Sequence, residues 1–168
     1  MPLGSGVTCV FADGHVVSLI GPTRSAREQD MLVSHELLHP ILNTLFDHER
    51  GLRRALFESQ CVFDQVVAAN PHSVLTRFVY NSWESYWSEA VVRAISHRLS
   101  GVPQAASAAL FVGPYLDGAL REFEQQPGSF AEANVHAMQG LRRQLCGRPP
   151  RLAQAAVLAA QPVQLARH

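Results

Sequence analysis

His35, Glu36 and His39 stand together in the run VSHELLHPILN, residues 33–43, inside an otherwise apolar stretch. Histidines four apart on a helix lie on one face, one turn above the other, so the two imidazoles can grip a single metal ion. The ion suited to neutral imidazole nitrogen at about 2.0–2.1 Å is Zn2+. Glu36, beside the first histidine, can reach a water on the metal rather than the metal itself. There it can take the water's proton and pass it to a leaving group. The competing reading is a helix whose polar residues simply face water.

Two histidines do not close a catalytic zinc site; a third protein ligand must come from elsewhere. A Gly three residues and a third His six residues beyond the second would complete the longest form of this motif, but those places hold Leu42 and Leu45. The candidates are then distant acids: Glu49, Glu58, Glu84 and Glu89. The best setting is NSWESYWSEAVVRAISHRL, residues 81–99. Trp83, Trp87, Val91, Ala94 and Ile95 make one apolar surface there, and Glu89 has Arg93 one helical turn on. Arg93 suits orienting Glu89 or binding a substrate carboxylate. The plain alternative is an exposed Glu–Arg pair worth a few tenths of a kcal/mol. Chemistry alone does not choose between them.

The elements that must position these groups are mostly helical. HVVSLI, residues 15–20, lies between DG and GP and reads as one short strand. A helix is expected from about Ser25, with Met31, Leu38, Leu42 and Leu45 at helical spacing and Leu37 and Ile41 widening the stripe. A second is expected over Leu52–Ala69, stopping at NPHS. A third runs from about Asn81 to Leu99, with Asn81 and Glu84 as the cap and its reciprocal partner. Residues 104–126 and 130–146 give two more helical patterns, with VGPYL at 112–116 kinking or restarting the first. Residues 1–146 therefore read as a single domain, mainly α with a small strand element, and 147–168 as a Pro- and Ala-rich tail.

Composition narrows the partners. The 168 residues are 47% apolar and 17% charged, enough for a real core and too little charge for disorder. All 14 basic residues are Arg, and they balance 14 acids to a net charge of zero. With no basic block, nucleic acid and anionic membrane are not expected partners. No apolar run reaches the roughly 18–20 residues of a membrane span. The start shows no basic segment followed by an apolar one, so no signal peptide is expected and the default location is cytoplasmic. Cys9, Cys61 and Cys146 lie far apart, and their odd number speaks against a disulfide framework. His15, His48, His72 and His136 lack partner spacing and read as surface or loop residues.

VSHELLHPILN, then a helix carrying SEAVVRAI, then LFVGPYLDGALREFEQQPGSF, resembles an uncharacterised bacterial family. Its domain of unknown function carries the zinc-peptidase signature His-Glu-x-x-His. The resemblance covers most of residues 15–146. Asn43 matches an Asn that commonly follows the signature, and Glu89, Arg93 and Ala94 match a downstream Glu-x-x-x-Arg-Ala helix. It implies a zincin-like domain with a gluzincin-type site: His35, His39 and Glu89 on Zn2+, Glu36 as base, Asn43 and Arg93 as supporting or substrate-binding residues. The expected activity is that of a zinc metallopeptidase, a hydrolase acting on a peptide or protein substrate through a water activated by Glu36. The alternative is a non-catalytic binding or structural domain that keeps the fold.

Three features depart from that pattern. Pro40 cannot donate to the carbonyl of Glu36, so the helix is expected to kink or end at the site. Only HVVSLI offers a strand edge on which an extended peptide could align. No oxyanion donor is marked, although Tyr80, Tyr86, His97 and Tyr115 are available.

Overall fold

The computed structural model describes residues 6–23, 25–69, 80–102, 112–125 and 128–147. Strand β1 (Gly6–Val10) pairs antiparallel with β2 (Val16–Ile20), placing Thr8 opposite Ser18 and Val7 opposite Leu19. β2 matches the strand read from HVVSLI; β1 was not anticipated. The turn between them needs Gly14 at a φ of 84°, a left-handed conformation that costs glycine little. Period-two alternation turns Thr8 and Ser18 inward, half-buried, and leaves Val7, Cys9, Val17 and Leu19 exposed.

Helix α1 (Ala26–His48) is capped by Ser25, whose hydroxyl accepts from the Glu28 amide. It neither ends nor breaks at Pro40. The lost backbone donor is partly replaced from outside the helix: Thr8 Oγ1 donates to the Glu36 carbonyl at 3.2 Å. The buried side of α1 is Leu32, Glu36, Leu42 and Phe46, while Leu37 and Ile41 are 51% and 65% exposed. The apolar stripe expected there was too wide, because α1 is apolar on more faces than its partner helix covers.

Two short helices stand where one was expected. α2 (Arg50–Glu58) stops and α3 (Gln60–Ala69) restarts around Ser59. The Ser59 hydroxyl bonds the Ala55 carbonyl at 2.6 Å and accepts from the Trp83 indole at 2.8 Å. A buried serine with those partners competes with helix propagation.

Helix α4 (Trp83–Ser100) begins one residue later than expected. Its cap is Ser82 with Ser85, not Asn81 with Glu84, each side chain bonding the other's amide. Gly101, at φ 64°, ends it. α5 (Gly113–Gln125) starts at the VGPYL segment, and α6 (Phe130–Leu145) is capped by Ser129 and Glu132. The stop at NPHS, the pattern over residues 104–111 and the tail from residue 148 lie outside the described residues.

α4 is the central element, packed along α1 on one side and α5 on another, while α2 and α3 close against α6. Trp83, Tyr86 and Trp87 are almost wholly buried, with Phe46, Leu52, Val62, Met138 and Leu141 around them. The Trp87 indole donates to Asn134 at 3.1 Å, so the buried polar ends in this core are satisfied. The expectation against a disulfide is corrected: Cys61 of α3 and Cys146 at the end of α6 are bonded, with Cα atoms 5.8 Å apart. Cys9 is the thiol left over, which is why the odd count misled. Among the described residues no helix is long and apolar enough to cross a membrane. The domain is thus mainly α with a two-stranded sheet.

Candidate metal centre

Two neighbouring helices build the site. α1 supplies His35, Glu36, His39 and Asn43 from one side, and α4 presents Glu89 and Arg93 opposite them. The three expected ligands come together. His35 Nε2 and His39 Nε2 are 3.2 Å apart, and Glu89 approaches with Oε1 3.6 Å from His35 and Oε2 3.4 Å from His39. Donors of a tetrahedral zinc lie roughly 3.3–3.5 Å apart. The two imidazoles come close to this, each faces a different Glu89 oxygen, and one ligand atom from each of the three residues lies within 4.8 Å of the others. Among the described residues this is the one group of three or more His, Cys, Asp or Glu whose donor atoms converge.

The other candidate acids lie elsewhere. Glu58 pairs with Arg54 at 2.8 Å and Arg142 at 3.5 Å. Glu49 sits exposed at the junction of α1 and α2. Glu84 is exposed in the first turn of α4, on a shallower cleft adjoining the site.

The electrostatics favour an ionised Glu89 and work against protonation of His35. Burial alone would push the Glu89 carboxyl up, but the hydrogen bond to His39 and the charges of His35 and Arg93 win, holding it at about 2. Burial lowers His35 below its ordinary value of 6.5, with His39 and Arg93 adding to the effect and Glu89 opposing it. A neutral ring is the form that binds metal. Arg93 Nε donates to Glu89 Oε1 at 2.5 Å, so its first role is to fix that carboxylate. Tyr80 lies against both Glu89 and Arg93, and burial together with the Glu89 charge pushes its phenol up to about 12.

Glu36 is 4% exposed and lines a cleft of about 570 Å³ together with the three donors. Thr8 Oγ1 donates to its Oε2 at 2.7 Å. Its Oε1 has no described partner, and no described side-chain polar atom is both buried and unsatisfied, so Oε1 opens on the cleft. Asn43 keeps its place on the same side of α1, accepting from Ser88 at 3.1 Å.

Of the four oxyanion candidates, Tyr80 and His97 line the cleft. Tyr86 is in the core and Tyr115 borders a separate groove between α5 and α6. His97 Nδ1 lies 3.0 Å from the Val102 carbonyl, which makes that nitrogen the protonated one. His15 is exposed and paired with Asp13, His48 ends α1, and His136 lies in the α5–α6 groove; His72 is outside the described residues. Thr8 and Ser88 were missed. One hydroxyl in each of two short β-branched runs was the signal for Thr8, legible only once both runs are taken as a hairpin. The chain matches no family model, no curated protein and no solved structure, so the reading of this centre rests on its own geometry.

Proposed function

We propose that the protein is a zinc-dependent hydrolase of the peptidase kind, with His35, His39 and Glu89 as the metal ligands and Glu36 as the general base. The observation that carries this reading is the convergence of two imidazoles and a carboxylate, one ligand atom from each within 4.8 Å of the others, beside the Glu36 carboxylate with its one open oxygen. Among the described residues three protein donors converge rather than four, the pattern of a centre that keeps a position for water or substrate. When bound there, zinc lowers the pKa of a coordinated water and polarises a carbonyl.

The chain's own residues do the rest. Glu36 Oε1 takes the proton from the attacking water and returns it to the leaving nitrogen. Arg93 and Tyr80 hold Glu89 in place, which keeps the donor set oriented. Tyr80 and His97 both line the cleft; the His97 proton is held by the Val102 carbonyl, which leaves the Tyr80 hydroxyl as the group that can turn to developing negative charge. Val7 and Thr8 put β1 on the cleft wall, giving an extended peptide a strand to lie along. The Cys61–Cys146 bond favours an oxidising compartment over the cytoplasmic default.

A second reading, a binding or structural domain that keeps the metal without turnover, has one observation in its favour. Glu36 is tied to the hairpin through Thr8 and would brace two elements even without chemistry. Glu36→Gln separates the two readings. It preserves size and can still accept from Thr8, so zinc content and melting temperature should stay at native values. Turnover in a peptide and ester library screen should drop about 10²- to 10⁴-fold. Equal turnover by the Gln variant, or a zinc-loaded native protein that cleaves nothing, would favour the bracing role.

A further inference from the structure

Pro40 and the hairpin meet on one atom. Proline lacks an amide hydrogen, so the carbonyl of Glu36, four residues earlier, loses its helical donor. The hydroxyl of Thr8 sits against that carbonyl at 3.2 Å and against the carboxylate of the same residue at 2.7 Å. Across the hairpin, Thr8 Oγ1 is also 2.8 Å from Ser18 Oγ. A threonine hydroxyl has one proton and two lone pairs. Since both Glu36 oxygens can only accept from it, the Thr8 proton is committed to Glu36, the shorter contact taking most of it. Ser18 must therefore be the donor to Thr8. The direction of the chain is fixed: Ser18 to Thr8 to Glu36.

We infer that Thr8 and Ser18 are positioning residues for Glu36, a hydroxyl relay that pins its Oε2 and so aims Oε1 into the cleft. The inference rests on Glu36 acting as the base. A glutamate has three side-chain torsions, and burial alone does not select one carboxylate orientation. The relay does so from a separate element, and Pro40 opens the helix surface on which Thr8 seats. Register supports it, because Thr8 and Ser18 are directly paired inward-facing residues of β1 and β2. A slip of one strand by one residue would put the two hydroxyls on opposite faces of the hairpin.

The test uses the full-length zinc-loaded protein with Thr8→Val, which keeps the shape and removes the hydroxyl, and Thr8→Ser, which restores it. With whichever peptide or ester the native protein cleaves, Thr8→Val should lower kcat roughly ten- to a hundredfold, the scale of a catalytic group displaced by about 1 Å. KM and zinc affinity should not change, and Thr8→Ser should recover most of the rate. In crystals of the zinc-loaded Thr8→Val protein the Glu36 carboxylate should leave its native position. Unchanged kcat, no recovery with Ser, or an unmoved carboxylate would overturn the relay. If the native protein turns nothing over, the hydrolase reading falls on its own, and the crystallographic comparison still decides whether Thr8 sets the place of Glu36.

Discussion

Glu89 stays ionised inside the protein because its neighbours outweigh the cost of burying it, and that balance makes an acid-sensitive centre. Its carboxyl titrates at about 2 in the fold against 4.5 without it. A lowered folded value means stability that is present above about pH 4.5 and lost as the pH falls towards 2. His35 acts at milder acidity. Its folded value lies below 6.5, so the unfolded chain binds that proton more readily, and stability is lost as pH falls below 6.5. Urea denaturation of the metal-free protein should accordingly show stability falling first below pH 6.5 and again below 4.5. A flat profile from pH 7 to 4 in native protein, or the same profile in a Glu89→Gln variant, would contradict the assigned charges. At this scale His35, Glu36 and His39 were legible because a single helix repeat relates them. Glu89 was not separable from Glu49, Glu58 and Glu84 by spacing, since only the packing of α4 on α1 brings it to the imidazoles.

Among the elements, α1 is where a local rule is broken and locally compensated. Of the two outcomes expected at Pro40, an ending is excluded: α1 continues, with the Glu36 carbonyl served by Thr8 of β1 instead of a backbone amide. Pro40→Ala restores the amide donor, so the variant should be more stable, by up to about 3 kcal/mol, the scale of a proline in a helix interior. Chemical denaturation measures this directly, and a loss of stability would mean that the hairpin depends on the proline surface. β1 was missed because GVTCV is short and opens on a glycine, which is a weak strand former. The hairpin signal lay downstream: FADGH, with Asp-Gly, joins GVTCV to VVSLI. Ser59 hid the α2–α3 break for a different reason. A serine within a helical pattern is unremarkable until its tertiary partner, Trp83, is known.

In the whole molecule, the mainly helical character and the small strand element could be read from periodicity and turn residues, whereas the covalent closure could not. Cys61 and Cys146 are 85 residues apart and meet only because α3 packs on α6. Removing the bond by Cys61→Ala with Cys146→Ala should cost about 2–4 kcal/mol, read as a lower denaturation midpoint in the doubly substituted protein. No loss would show that the unfolded chain is not constrained by this bridge. The α1–α4 packing brings His35, His39 and Glu89 together, and the central proposal is that these three residues hold zinc. Elemental analysis of the full-length protein, purified without chelators and dialysed against a trace of zinc, tests that claim most directly. About one zinc per chain is expected, falling to near zero in separate His35→Ala, His39→Ala and Glu89→Ala variants that remain folded. Native protein that takes up no zinc, or a Glu89→Ala variant that holds it as tightly as native, would contradict the account.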